Sequence, residues 1–445
     1  MAATKGKLIY KVYRALSYGL SPLLYLHLRW RVLRGLEHPS RWPERLGRPS
    51  HARPPGPLLW FHAVSLGEGL ATIPVIKQCI QRRPDLIVLM TTTTYSAFQV
   101  VKNCLPTGVI YQFAPLDTAA SIDTFIEYWK PKVIILMESE LWPNLILGAS
   151  QRGIDMALLN ARMSATSFKH WSIPVFLPLI SFMLSKFSLI LPLSNLQAIR
   201  FQLLQASPLV ISFAGDLKFA VENVGMSEKE IKKVEDLRAQ LAYRQAWMAS
   251  SIHKGEEEVI LQVHRMLLEA HPNLVTVIVP RHPQHGKEIA LVAQEMQKEG
   301  QNVALRSRGE NITSGTNIYI VDTLGELRYL YGITSIAVVG GSFLPGLAGH
   351  NVSEAAAAGC AVLTGPYVGH FSSMVAKMQQ FNPMSVLQVH GKVDLGGAIK
   401  NLLKDDKVLE AHRMAAKQAQ QALASGIIVG TWNSLNSKVL RSAFG

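Results

Sequence analysis

The chain has 445 residues and a net charge of +14, with 48% hydrophobic and 17% charged residues. This composition argues against disorder, and the length predicts two domains of about 200 residues each rather than one core. The excess of positive charge favours an acidic partner, which could be nucleic acid, an anionic membrane surface or a phosphorylated substrate. Three cysteines without metal-ligand spacing argue against a disulfide scaffold and against a zinc site.

Residues 1–47 form a basic segment in which the first acid is Glu37. Within this segment, residues 15–28 are uncharged. Crossing a bilayer takes about twenty apolar residues, so this stretch predicts an anchor at the membrane interface rather than a transmembrane helix. An acid-poor basic start is also typical of an organelle transit peptide. We therefore expect membrane association, at the cytoplasmic face of the inner membrane in a bacterium or in the mitochondrion of a eukaryote.

Residues 48–225 are predicted to form the first of two Rossmann-like domains. Apolar, β-rich runs alternate here with helical patterns, as in a parallel sheet that is covered on both faces. The predicted strands are Leu58–Val64, Leu86–Thr92, Val109–Phe113, Lys132–Met137, Asp155–Asn160 and Ser188–Leu193. The uncharged segment Trp171–Ser185 predicts a buried core helix, with a lipid-facing surface as the alternative.

Residues 226–425 are predicted to form the second Rossmann-like domain. After a charged helical stretch, Met226–Arg244, apolar strands again alternate with helical patterns. The predicted strands are Gln245–Ser250, Leu274–Pro280, Asn317–Val321, Ser335–Val339 and Ala361–Thr364. The fold class is thus α/β, with two doubly wound domains that are expected to face a cleft. Residues 426–445 are predicted to form a helix that packs back on the first domain.

The first chemical motif contains Glu68 and follows the strand Leu58–Val64. The chain is expected to turn through Gly67 into a helix starting near Gly69. A carboxylate there would lie beside the N–H groups of a helix N-terminus, at the strand ends where such sheets bind their ligands. Glu68 is thus either a helix cap or a catalytic group.

The second motif, Met137 to Asn144, follows the strand Lys132–Met137. Its acids Glu138 and Glu140 and the indole of Trp142 suggest a sugar pocket, with helix capping as the alternative. Two cations, Arg162 and Lys218, follow later strands and would suit an anionic substrate.

The second domain carries polar motifs at the ends of its own predicted strands. A glycine-rich run from Gly340 to Gly349, together with Arg281, predicts a cradle for a nucleotide phosphate. Glu354 follows this run at a spacing that suits a contact to a ribose hydroxyl. The run has neither the Gly-Lys-Ser/Thr ending of a P-loop nor the spacing of a hydrolase elbow.

Many motifs in one order closely resemble the Kdo transferases, the 3-deoxy-D-manno-octulosonic acid transferases of lipid A assembly. These motifs are W-F-H-A-V-S-L-G-E, T-T-T-T, E-S-E-L-W-P-N, N-A-R-M-S, G-D-L-K-F, A-S-S-I-H-K-G-E-E, P-R-H-P, G-E-L and G-G-S-F…G-H-N-x-x-E, from Trp60 to Phe371. The resemblance implies a GT-B fold, CMP-Kdo as donor, a lipid A precursor as acceptor and an inverting reaction. It further implies that no metal and no cofactor are needed.

The resemblance also implies roles for individual residues. Glu68 matches the proton acceptor of the family, while Glu138 and Lys218 match residues that stabilise the transition state. The CMP-binding motifs fall on Arg281, His282, Gly325, Glu326, Leu327, Asn351, Val352, Ser353 and Glu354. One departure is Ala348, which stands where the family has a glycine.

The sequence predicts CMP-Kdo, a lipid A precursor and a membrane surface as partners, and no nucleic acid. The alternative is another GT-B transferase or epimerase that uses a different nucleotide sugar. The motifs do not determine how many Kdo residues are transferred.

Overall fold

A computed structural model describes residues 2–220, 228–241, 244–296, 302–323 and 325–445. The chain divides into two compact units, residues 1–221 with 424–445 and residues 222–423. Each unit is built on a parallel β-sheet with helices.

The sheet of the first unit has the strand order β3-β2-β1-β4-β5-β6. Its strands are β1 (Leu58–His62), β2 (Ile87–Thr92), β3 (Ile110–Phe113), β4 (Val133–Met137), β5 (Asp155–Ala161) and β6 (Leu189–Pro192). All six coincide with predicted runs, because strands covered on both faces are apolar at nearly every position. The strand order reverses between β1 and β4, where open α/β sheets bind ligands at the carboxyl ends of their strands.

Helices cover this sheet, and aromatic side chains fill the core beneath them. Trp60 of β1 packs on Phe125 with ring centroids 4.4 Å apart. The helices are α1 (Ala2–Gly19), α2 (Ser21–Leu33), α3 (Leu66–Arg82), α4 (Tyr95–Val101), α5 (Ala119–Trp129), α6 (Pro143–Gln151), α7 (Ala165–Trp171), α8 (Leu177–Leu184) and α9 (Asn195–Leu203).

The sheet of the second unit has the order β13-β12-β11-β7-β8-β10-β9. Its strands are β7 (Ala246–Ile252), β8 (Val275–Pro280), β9 (Asn302–Leu305), β10 (Thr316–Ile320), β11 (Ile336–Val339), β12 (Ala361–Thr364) and β13 (Leu387–Gln388). The sequence analysis missed β9 and β13. These are the two edge strands, of four and two residues, and they are too short and too exposed to form an apolar run.

The helices of the second unit include α10, which lies within the predicted helical stretch 226–244. Residues 226, 227, 242 and 243 of that stretch lie outside the described residues. The helices are α10 (Glu228–Leu241), α11 (Glu257–Leu268), α12 (Gly286–Met296), α13 (Leu327–Leu330), α14 (Ser353–Ala357), α15 (Ser372–Phe381) and α16 (Gly391–Lys404).

The chain ends in α17 (Asp406–Leu435), a π-helical turn (Asn436–Leu440) and α18 (Arg441–Phe444). Ile427 of α17 packs against Gly215 in the first unit, where a Cβ atom would approach the Ile427 side chain to 2.8 Å.

The N-terminal helix α1 packs against α8 in the first unit. Its Gly6 lies against Pro178 and Phe182, and its Tyr10 belongs to the core of the unit. The uncharged stretch 15–28 is divided between α1 and α2, with Pro22 in the first turn of α2. In the described ranges, no helix combines the length and apolar character needed to cross a bilayer.

The uncharged segment 171–185 contains α8, and half of that helix is buried. The prediction of a buried helix is confirmed for α8. Ile173 and Val175, which precede it, are exposed.

Candidate active site

Glu68 lies in the first turn of α3, three residues after the N-cap Ser65. The Ser65 hydroxyl donates to Glu68 Oε1 at 2.7 Å and accepts from the Glu68 N–H at 3.3 Å. The N–H of Val64 donates to Glu68 Oε2 at 2.9 Å. The prediction that the helix starts near Gly69 was wrong, because the hydroxyl of Ser65 caps a helix that starts at Leu66.

The capping contacts fix the Glu68 carboxylate at the carboxyl end of β1. Each carboxylate oxygen carries two acceptor positions, so both oxygens of Glu68 can accept a further hydrogen bond. The residue is 9% exposed. Capping and a reactive role are therefore compatible at this residue.

Glu138 follows β4, the strand next to β1, and forms an ion pair with Lys218. Its φ angle is 52°, in the left-handed region that side chains rarely adopt. The Lys218 side chain also passes Gly67, where a Cβ atom would lie 3.9 Å from Lys218 Cε. Lys218 thus lies beside the start of α3, and the structure brings Glu68, Glu138 and Lys218 together.

Lys218 is held in place by the short 3-10 helix Leu217–Ala220 and by Asp216. Asp216 Oδ1 accepts from the Lys218 N–H at 2.9 Å and from Asn160 Nδ2 at 2.9 Å. Asn160 Oδ1 accepts from the Leu217 N–H at 2.9 Å. Asn160, at the end of β5, therefore fixes the turn that carries Lys218.

Glu140 is a third buried carboxylate of this cluster. Its Oε2 accepts from Trp142 Nε1 at 2.5 Å and lies 4.0 Å from His62 Nε2. Burial, opposed by the Trp142 hydrogen bond and reinforced by the charges of Glu68 and Glu138, raises the pKa of Glu140 to about 7. Glu140 therefore changes its charge near neutral pH.

His62 is the neighbour of Glu140 on β1. Burial, reinforced by the charge of Arg45, lowers the pKa of His62 to about 4, so the ring is neutral at neutral pH. Its Nδ1 lies 3.0 Å from Thr91 Oγ1, which also accepts from Trp60 Nε1 at 2.9 Å.

The start of α6 is capped by Asp117 rather than by the acids of the second motif. Asp117 accepts from the N–H groups of Asn144 at 3.1 Å and Leu145 at 2.8 Å. Glu138 and Glu140 are consequently not needed as caps of this helix. The indole of Trp142, 46% exposed, presents an aromatic surface next to the carboxylates.

Arg162 follows β5 and lies next to Glu138 through the backbone. Its N–H donates to the carbonyl oxygen of Glu138 at 3.2 Å, and its side chain is exposed. The guanidinium is thus available to an anionic group beside this cluster.

In the second unit, the glycine-rich loop after β11 is organised by Glu256, which is fully buried. Glu256 Oε1 accepts from the N–H groups of Ser342 and Phe343, and Oε2 accepts from those of Gly341 and His253, at 2.7 to 2.9 Å. The prediction that this part of the loop cradles a phosphate was wrong, because an internal carboxylate occupies these N–H groups.

The same loop places His350 beside His253, which follows β7. Their Nε2 atoms are 2.8 Å apart and their rings stack with centroids 5.1 Å apart. Burial, reinforced by the charges of His253 and Arg281, lowers the pKa of His350 to about 4. His282 meets the His253 ring edge-on at 6.1 Å.

Arg281 and His282 follow β8, and both are exposed. The Arg281 N–H donates to the carbonyl oxygen of Ile252 at 2.9 Å, which places it at the end of β7. The structure therefore brings Arg281 and His282 together with the loop that contains His350.

Gly325, Glu326 and Leu327 lie at the start of α13; Leu324, which precedes them, lies outside the described residues. Burial alone would raise the pKa of Glu326, but hydrogen bonds from Arg306, Thr323 and Tyr329 lower it to about 2. Lys233 Nζ lies 3.2 Å from Glu326 Oε1. Glu326 thus anchors the backbone of this motif.

Asn351, Val352, Ser353 and Glu354 form the turn into α14. Asn351 Oδ1 accepts from the Ser353 N–H at 2.9 Å and from its hydroxyl at 2.6 Å. Asn351 Nδ2 donates to Glu354 Oε1 at 3.2 Å, and the Glu354 side chain is exposed. Ala348 is not among the described residues with positive φ, so the alanine is accommodated without strain.

Comparison with known proteins decides the family. Residues 40–221 match the family described as 3-deoxy-D-manno-octulosonic-acid transferase (kdotransferase). A relative from Arabidopsis thaliana, named probable 3-deoxy-D-manno-octulosonic acid transferase, mitochondrial, is 60% identical over 98% of this chain and 97% of its own length. The chain belongs to the Kdo transferase family. A bacterial Kdo transferase from Haemophilus influenzae is 33% identical over 89% of this chain and 91% of its own length.

Solved structures of other enzymes share the fold of this chain. A UDP-GlcNAc 2-epimerase from Neisseria meningitidis has a TM-score of 0.54 at 13% identity, covering 85% of this chain and all of its own. A glycosyltransferase from Rickettsia africae has a TM-score of 0.53 at 13% identity, covering 87% and 98%. The predicted GT-B fold is confirmed by these structures. The family match and the two relatives, rather than these structures, show that the chain is a glycosyltransferase.

Sequence reasoning missed three residues that shape this Kdo transferase. Glu256 stands in a run of three glutamates, and only its burial distinguishes it from the others. Asn160 and Asp216 were quoted within motifs without a role. Asn160 has a φ angle of 55°, and its residue type, which tolerates positive φ, was the signal of a special turn that the sequence carried.

Proposed function

We propose that this chain transfers Kdo from CMP-Kdo to a hydroxyl group of a lipid A precursor, with inversion, in lipopolysaccharide synthesis. The observation that supports this proposal is the cluster of Glu68 with the Glu138–Lys218 ion pair, at the point where the strand order of the first sheet reverses. The family assignment supplies the sugar, and the cluster supplies the groups that a displacement at its anomeric carbon needs.

In the proposed reaction Glu68 accepts the proton of the acceptor hydroxyl. The acceptor oxygen then forms a bond to the anomeric carbon, and the bond from that carbon to the phosphate oxygen breaks, so that CMP leaves with the electron pair. Positive charge builds on the sugar in the transition state, and a fixed carboxylate stabilises it. Glu138 supplies this carboxylate, and Lys218 holds it in place.

The second unit is proposed to bind the donor. Arg281 and His282 offer donors for the phosphate or the Kdo carboxylate, since both side chains are exposed at the strand ends. The other proposed donor contacts are Gly325, Glu326, Leu327, Asn351, Val352, Ser353 and Glu354. Because the carboxylate of Glu326 is held by Arg306, we assign this residue a positioning role, with the adjacent backbone meeting the nucleotide.

On the acceptor side, Arg162 is proposed to bind an anionic group next to the carboxylates. Its backbone contact to Glu138 places the guanidinium stem beside the reaction centre.

A membrane surface is the proposed location of the acceptor. Several large apolar residues of α1 and α2 are exposed, including Leu16, Leu23, Leu26 and Leu33. An exposed apolar face flanked by basic residues is typical of helices that lie in the membrane interface. Given the relative from Arabidopsis, we propose a mitochondrial membrane.

We further propose that the N-terminal helix is retained after targeting. Tyr13 donates to Asp117 at 3.0 Å, and Arg14 donates to Asp123 at 2.6 Å, so half-buried hydrogen bonds to charged groups join α1 to the unit. N-terminal sequencing of the protein from its native membrane tests this: a mature chain that begins after residue 19 would contradict it.

The proposed function is tested with purified enzyme, CMP-Kdo and a tetraacylated lipid A precursor. We expect release of CMP and a product heavier by one or more Kdo residues, with an anomeric configuration opposite to that of the donor. The Glu68→Ala variant is expected to lose activity. Full activity of that variant would refute the assignment of the base, and competition by UDP-sugars rather than CMP would favour a different nucleotide sugar.

A further inference from the structure

A cavity of about 550 Å³ lies in the first unit between α2 and the loop after β2. We call it the α2 cavity. Its volume falls in the range of ligand pockets, roughly 300–1,000 Å³. One wall is apolar and consists of Leu24, Leu28, Leu36 and Leu116.

The lining also carries an excess of positive charge, with Arg31 and Arg45 against Glu37. Arg31 Nε donates to Glu37 Oε1 at 2.9 Å, and Arg45 Nε lies 3.9 Å from Glu37 Oε2. Two guanidinium groups thus share one carboxylate. Glu37 and Arg45 are 5% and 6% exposed, and in the described part of the chain Arg45 Nε has no hydrogen-bond partner. A buried cation with an unmet donor favours an anion in the cavity.

Backbone contacts connect this cavity to the candidate active site. Thr93, which lines the cavity, donates its N–H to the carbonyl oxygen of Val64 at 3.4 Å. Val64 in turn donates its N–H to the Glu68 carboxylate. The Thr93 side of the cavity is therefore connected through Val64 to the turn that holds the Glu68 carboxylate.

We propose that the α2 cavity binds an anionic acylated amphiphile, with an alkyl chain against the leucines and a phosphate at Arg31 and Arg45. This proposal rests on the proposed function, because it assigns the lipid and phosphate part of the acceptor to these residues. The exposed leucines of α2 lie on the helix that forms the apolar wall, so a chain can enter from a lipid surface.

The experiment measures binding to the full-length protein by titration calorimetry with three probes. These are dioctanoyl phosphatidic acid below its critical micelle concentration, octyl glucoside and inorganic phosphate. We expect saturable binding of the phosphatidic acid, at least about tenfold tighter than either other probe. Equal affinity for inorganic phosphate and phosphatidic acid would refute the proposal that the ligand is an amphiphile, because the cavity would then bind only the anion.

Variants locate the binding. Leu24→Trp fills the cavity and is expected to weaken both lipid probes, whereas Leu203→Trp, at an exposed leucine of α9 that does not line the cavity, is expected to leave them unchanged. Arg31→Gln is expected to weaken phosphatidic acid about tenfold without affecting octyl glucoside. Circular dichroism spectra check that each variant is folded. If Leu24→Trp and Leu203→Trp bind the lipid probes alike, or if Arg31→Gln changes nothing, the proposal is wrong.

The transfer assay separates this proposal from the proposed function. If the wild-type protein transfers Kdo but substitutions at Leu24 and Arg31 do not change lipid binding, only the proposal for the α2 cavity is refuted. If the substitutions at Leu24 and Arg31 weaken lipid binding but the wild-type protein does not transfer Kdo, only the proposed function is refuted.

Discussion

The Glu256→Gln variant tests how the glycine-rich loop is held. In the native chain Oε1 accepts from Ser342 and Phe343, and Oε2 accepts from Gly341 and His253. The substitution keeps the shape of the side chain but converts one oxygen into an NH₂ group. In either orientation, two backbone N–H groups lose their acceptor and face another donor.

The size of the effect follows from these contacts. A buried donor without a partner costs about 1–3 kcal/mol, so two of them cost about 2–6 kcal/mol. A cost of about 3 kcal/mol, which lies within this range, makes local opening of the loop roughly 100-fold more frequent. Hydrogen exchange of peptides that cover Gly341 to Phe343, followed by mass spectrometry, measures this opening.

Glu258→Gln is the matched control, because Glu258 lies two positions further along the chain and is exposed. We expect its loop amides to exchange at the native rate. If Glu256→Gln also exchanges at the native rate, the carboxylate does not organise the loop and the reasoning is refuted.

Three further predictions concern charge and packing. Because the pKa of Glu140 is raised to about 7, its ionisation should lower the unfolding free energy by about 3 kcal/mol as pH rises from about 4.5 to 7. Urea unfolding should show this loss in the native chain and not in Glu140→Gln; equal pH profiles would contradict the burial of its charge. The pKa of Glu326 is lowered to about 2, so its ionised carboxylate stabilises the folded protein above about pH 4.5. This contribution to the unfolding free energy is lost as pH falls toward 2. Acid unfolding followed by circular dichroism should show this loss of stability in the native chain and not in Glu326→Gln. Identical acid-unfolding curves for the two proteins would refute the prediction. A Cβ atom at Gly6 would clash with the Pro178 carbonyl, so Gly6→Ala should cost about 1–3 kcal/mol. Gly19→Ala, where no atom lies within 4 Å, should cost nothing, and equal urea midpoints of the two variants would contradict the packing of α1.

Most strands of the two sheets could be predicted because buried parallel strands are apolar at nearly every position. The runs at β1 and β4 are examples, and every residue of each is buried. The edge strand β13 has two residues, one of them exposed, and carries no such signal.

The candidate site was predictable to the extent that its residues follow apolar runs. Glu68 and Glu138 follow neighbouring strands of one sheet, so their proximity follows from the strand order. The ion pair of Glu138 with Lys218 could not be predicted, because it depends on the turn that Asn160 and Asp216 fix across 56 residues of chain.

The sequence also could not predict that an internal carboxylate accepts from the N–H groups of the glycine-rich loop. Glycines after a strand are equally compatible with a bound phosphate and with an internal carboxylate. Only the position of Glu256 in three dimensions distinguishes the two.

The central claim is that Glu68 is a catalytic base and not only a helix cap. The direct test is the kcat for Kdo transfer in Ser65→Ala and Glu68→Gln. Ser65→Ala removes the capping hydroxyl and should lower the unfolding free energy by about 1 kcal/mol while kcat stays within about tenfold of the native value. Glu68→Gln retains a polar cap but cannot accept the proton, and kcat should fall at least about 100-fold. A Glu68→Gln enzyme that keeps its kcat and loses only stability would contradict the claim.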